Sequence, residues 1–208
     1  MPKAKTVVIV ARTRMYGGHV CVGALSDVGV SIRLLNSQCD FNRDQDSPCR
    51  VSEIWEVVCT SCGTRKPPHH VEDTAVTEAK RVGTQKDLVG YILERAKPWK
   101  GPIDILFEGK IQFTQNGAGY ISESAVPPAA TGFWIPSSDL SLQKDDRGKI
   151  GYYTQNGYRH LSYVGVQNPV ERIKAGQLVR VSLAGWWKPR DVAPDFEERC
   201  YAQLSGWY

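Results

Sequence analysis

Short runs that alternate apolar and polar residues, broken by glycine turns, constrain this chain more than any other feature. Residues 6–10, 19–25 and 30–35 are separated by Tyr-Gly-Gly and Asp-Val-Gly. Side chains two apart share a face only in an extended chain, and glycine-bearing breaks of this kind are turn signals. The opening of the chain therefore reads as a three-stranded meander. A polar loop over residues 37–48, expected to be mobile, leads to EIWEVVC at residues 53–59, with Ile54, Glu56 and Val58 on one face and Trp55 and Val57 on the other. A further short strand is expected near residues 74–77.

Only one segment carries a helical period. In residues 84–97, Leu88, Tyr91, Ile92 and Arg95 recur at three- and four-residue spacing, Thr84 offers an N-cap, and Pro98 follows. Residues 110–130 are rich in Gly, Ser and Pro without a period, which reads as a connection. Strand signals resume at 132–135, 140–142, 149–154, 159–166, 178–183 and 200–204. The expectation is a mainly β chain with a first module at 1–109, a connection at 110–130 and a second module at 131–208. The halves also echo each other. RVSEIWEVVCTSCGTRKPPHHVEDTAV and KAGQLVRVSLAGWWKPRDVAPDFEERCYAQL share a polar entry, an alternating strand, a Lys-Pro loop, acidic residues and a closing strand. This reads as a duplication, with convergence of ordinary hairpins as the alternative.

VVIVARTRM, GVSIRLL, EIWEVV, PPHHVED, VRVSLAGWWKP and YAQLSGWY together resemble the dual OB-containing proteins of bacteria, which are associated with conflict and defence systems. The resemblance implies two tandem OB-like β-barrels with one helix between strands of the two modules. Barrels of this kind commonly bind oligonucleotides across an open face, although others bind sugars or proteins.

At 208 residues the chain can build one domain or two small ones, and 26 Lys and Arg against 22 Asp and Glu leave a mild positive charge of +4. No stretch approaches the roughly 18 apolar residues of a membrane span, and the start reads as strand rather than leader, so a cytoplasmic protein is expected. Trp186-Trp187-Lys188-Pro189-Arg190 joins aromatic and cationic groups after a strand, the pairing that binds single strands. Adjacent tryptophans point to opposite faces, so one of them belongs to the core. Trp207 and Tyr208 read as closing the second barrel.

The equivalent loop in the first half, Arg65-Lys66-Pro67-Pro68-His69-His70, is basic and stiffened by proline; Arg12, Arg14 and Arg33 form another cationic set, and Lys97 and Lys100 flank Trp99. Together these form the candidate contacts to DNA or RNA. Trp99, Trp134 and Trp186 are instead anchors if the partner is a protein.

Six cysteines without an export signal point to reduced thiols or metal ligands rather than disulfides. Cys59 and Cys62 have the spacing of half a zinc site, with Cys39 and Cys49 nearby, but no second C-x-x-C completes it, so no cofactor is assigned. His69, His70, Glu72 and Asp73 suggest a metal-dependent nuclease only weakly. HExxH, the P-loop, GxSxG and the dinucleotide fingerprint are all missing. Binding rather than catalysis is the expected role.

Overall fold

The computed structural model describes residues 4–63, 72–145, 148–189 and 195–208. Six strands build the first sheet: β1 (Lys5–Arg14), β2 (His19–Ser26), β3 (Ser31–Leu35), β4 (Asn42–Arg43), β5 (Glu53–Ser61) and β6 (Asp73–Thr84). β1 pairs antiparallel with both β2 and β5, β5 with β6, and β6 runs parallel to β3. The ring β1-β2-β3-β6-β5 closes on itself, a five-stranded Greek-key barrel of the kind the family resemblance implies. Val7, Ile9, Val22, Trp55, Val57 and Cys59 fill it. The alternation in β5 is realised, because Trp55, Val57 and Cys59 are buried and Glu56 is exposed.

β6 is longer than the expected short strand. Its Thr77 to Val82 stretch is exposed throughout and has no apolar alternation, so only its pairing with β5 marks it as strand.

Helix α1 (Leu88–Arg95) is shorter than its periodic signal. Thr84 belongs to β6, and the Asp87 carboxylate caps the helix by accepting from Gly90 N at 2.8 Å.

The second sheet contains β7 (Trp99–Gly101), β8 (Gln112–Phe113), β9 (Gly119–Ser122), β10 (Thr131–Pro136), β11 (Leu140–Lys144), β12 (Ile150–Tyr153), β13 (His160–Tyr163), β14 (Arg172–Ile173), β15 (Val179–Trp187) and β16 (Arg199–Trp207). Its central path runs β11-β12-β13-β16-β15-β10, with β13 parallel to β16, and its two ends, β10 and β11, are successive pieces of chain. With β10 and β11 taken together, the connectivity matches the first barrel. The hairpins β5–β6 and β15–β16, aligned above by their sequence echo, hold the same place in each.

Residues 110–130 are more than a connection. β8 pairs with β9, and β9 lies against the first half of β16 through Tyr120, Ile121 and Ser122. Two-residue and four-residue strands surrounded by glycine carry too little alternation to be read as such.

A third core lies between the barrels. Val8, Val10 and Leu25 from the first meet Phe133 and Leu178 from the second, with Tyr91 and Ile92 of α1 packed among them. β1 is therefore apolar on successive residues because both its faces are covered, Val7 and Ile9 inward and Val8 and Val10 toward the other barrel. Beyond Arg12 the strand bonds across: Arg14 N donates to Val164 O at 2.8 Å, and Val166 N to Arg12 O at 2.9 Å.

Candidate nucleic-acid interface

β12, β13, β15 and β16 curl around a groove of about 1000 Å³ on the outside of the second barrel. Tyr153 and His160 face each other across the β12–β13 pair, and their rings stack at 4.3 Å between centroids and 19° between planes. Asn156-Gly157 at the hairpin tip sets that register; Thr154 N donates to Arg159 O and Gly157 N to Thr154 O. On the opposite side, Trp187 meets Tyr201 edge-on at 5.9 Å. Tyr201 in turn lies 6.2 Å from Tyr120 of β9. Between the ring pairs the lining is small or polar: Gly151, Ser162, Gln203, Ala118 and Asn116.

A bulge in β15 presents Trp187 to this groove. Leu183 pairs with Ala202 and Trp186 with Cys200, so two residues of β15 oppose Tyr201 alone. The extra residue resets the alternation, as bulges beside binding sites do. Trp186 packs on the core while Trp187 remains 52% exposed. The expected division between the two tryptophans is thus realised, and Lys188 is exposed next to Trp187. Trp207 packs against the second core, as expected of a closing residue, whereas Tyr208 reaches the interface and donates to Val10 O.

The cationic set of the first barrel is occupied elsewhere. Arg12, 9% exposed, donates to the Asp44 carboxylate at 2.6 Å. Arg33 is equally buried and paired with Asp73. Arg14 is exposed but donates to Val166 O at 3.2 Å, across the junction. Arg65, Lys66, His69, His70 and Arg190 lie outside the described residues. Of the candidate contacts, the structure brings Trp186 and Trp187 to the groove, leaves Lys188 exposed beside Trp187, and keeps Arg12, Arg14 and Arg33 out of it.

The model of the dual OB-containing domain matches residues 5–207, nearly the whole chain. The chain belongs to that family. No curated protein and no solved structure matches it. Of the four strands around the groove, β12 and β13 are strands two and three of the second barrel.

The four cysteines Cys39, Cys49, Cys59 and Cys62 of this dual OB chain do not meet at one point. Cys39 and Cys62 are joined in a disulfide, against the expectation of reduced thiols, while Cys49 and Cys59 lie in the first core. Burial pushes the Cys49 thiol up to about 11, which disfavours the thiolate a metal requires. Among the described residues no three His, Cys, Asp or Glu side chains stand together as metal ligands. The carboxylates of the nuclease alternative are also committed. Asp73 holds Arg33, and Glu72 accepts from Ala130 N at 2.9 Å.

The loop expected to be mobile is braced rather than free. Besides the disulfide and the Arg12–Asp44 pair, Arg50 donates to the Ser47 and Cys49 carbonyls at 2.7 and 2.9 Å. It lines a second cleft of about 590 Å³ with Tyr16, His19 and Phe41. No helix among the described residues is long and apolar enough to cross a membrane.

Tyr153, His160, Tyr201 and Gln203 were not among the sequence-level candidates. The Asn-Gly turn could have pointed to the first pair. Nothing local marks Tyr201, whose role depends on the bulge across from it.

Proposed function

We propose that this dual OB protein binds unpaired nucleic acid in the groove of its second barrel and performs no catalysis there. The observation that carries the reading is two aromatic ring pairs, Tyr153–His160 and Trp187–Tyr201, on either side of a small, polar floor. Every base has a flat face, so stacking on such platforms tolerates sequence, while a duplex hides those faces. Lys188 supplies a phosphate contact beside them. Service within a larger bacterial defence or repair assembly, which the family resemblance implied, belongs to the same proposal.

The test is fluorescence anisotropy with short labelled single-stranded and duplex DNA and RNA. Single strands are expected to bind more tightly than duplex, and Trp187→Ala to weaken them by roughly tenfold, the loss of about one stacked base. A Lys66, Lys188 and Arg190 to alanine triple variant measures what the loop cations add. Absence of single-strand binding at low ionic strength overturns the reading.

A protein partner is the second reading, and one surface favours it. Val28 and Val30 on the β2–β3 turn and Val89 and Leu93 on α1 are exposed apolar side chains. The turn and the helix are joined, since Arg95 Nε donates to Asp27 O at 3.2 Å. Leu93→Glu is then expected to abolish a pull-down that Trp187→Ala leaves intact.

A further inference from the structure

Phosphate recognition needs a surplus of cations, and the described lining of the groove has none. Among the described residues, Asp145 and Lys149 are the charged members of its lining. Arg199 does not line the groove, and its guanidinium lies over two rings, 4.3 Å from the Tyr120 ring centre and 4.5 Å from that of Phe196. Arg159, at the hairpin below His160, is paired with Asp104 and lies over Phe113.

The remaining chemistry is planar and hydrogen-bonding. A Cβ on Gly151 would come within 3.2 Å of the Tyr153 ring and 3.5 Å of His160, so glycine there keeps the floor beside the stacked pair low. Ser162 and Gln203, directly opposed across β13 and β16, present a hydroxyl and an amide in the adjoining part of the floor. An amide that both donates and accepts can use both of its groups on a base edge, whereas a phosphate, which only accepts, engages its donor alone.

We infer that the groove recognises the bases of an unpaired strand and not its phosphodiester backbone; this rests on the single-strand reading above. Binding then releases few counterions and resists salt. For single strands the slope of log K against log salt is about −0.7 for each phosphate neutralised. A slope shallower than about −1, equivalent to no more than about one neutralised phosphate, is therefore expected here.

The experiment uses the full chain and two labelled strands of equal length, an ordinary DNA oligonucleotide and one whose central nucleotides are abasic, titrated from low to moderate salt. Gln203→Leu is measured alongside, with its melting curve recorded to establish that it folds. A shallow slope, a loss of tenfold or more for the abasic strand, and weaker binding by folded Gln203→Leu support the inference. Equal binding of both strands with a slope steeper than about −2 overturns it while leaving single-strand binding standing. Failure of both strands to bind at any salt overturns it together with the reading on which it rests.

Discussion

Arg33 and Asp73 show how a residue's fate depends on its neighbours. Asp73 is 3% exposed, and its carboxylate meets an arginine that is itself buried in the first barrel. Removing one member of such a pair leaves the other charge buried without its direct partner, so Asp73→Ala is expected to cost about 3–5 kcal/mol in urea unfolding. Glu53 supplies a pH-dependent case. Burial works against its ionised form, but bonds from Arg50 N, Trp55 Nε1 and Arg81 Nε outweigh it and hold the carboxyl below its ordinary range. A lowered folded value means that the stabilisation is complete above the unfolded value, about 4.3, and fades as pH falls from there through the folded one. The melting temperatures of wild type and Glu53→Gln should therefore differ at pH 7 and converge toward pH 3.

Elements are set by contacts between segments as much as by their own pattern. β7 lies parallel to β10 with Trp99 opposite Trp134, and a Cβ on Gly132 would sit 2.3 Å from the Trp99 ring. Gly132→Ala should thus displace β7 and cost about 1–3 kcal/mol, read by denaturation with tryptophan fluorescence. The Cys39–Cys62 disulfide ties the loop after β3 to the end of β5, at a sequence separation of 23. Its reduction, or Cys62→Ser, is expected to lower stability by roughly 3 kcal/mol. Strands with a buried and an exposed face, such as β5, are legible from alternation. β8 and β9 are not, since each is ordered by the strand it lies against, and neither is the exposed stretch of β6.

At the scale of the molecule, the core shared by Val8, Val10, Ile92, Phe133 and Leu178 joins the barrels into one unit. Calorimetry should show a single unfolding transition, and Ile92→Ala, at a fully buried position, should shift it whole at a cost of about 2–5 kcal/mol without splitting it. The β class and the aromatic character of the 186–187 segment could be read in advance, because turn chemistry and period-two alternation are local properties, whereas the two barrels followed from the family resemblance. Which charges are free to meet a ligand could not. Arg12 and Arg33 look like surface cations in sequence, and only the folding of distant Asp44 and Asp73 against them decides otherwise. The groove has the same origin: Tyr153, His160, Trp187 and Tyr201 come from four strands, and their meeting depends on a parallel pairing and a bulge formed by residues far apart along the chain.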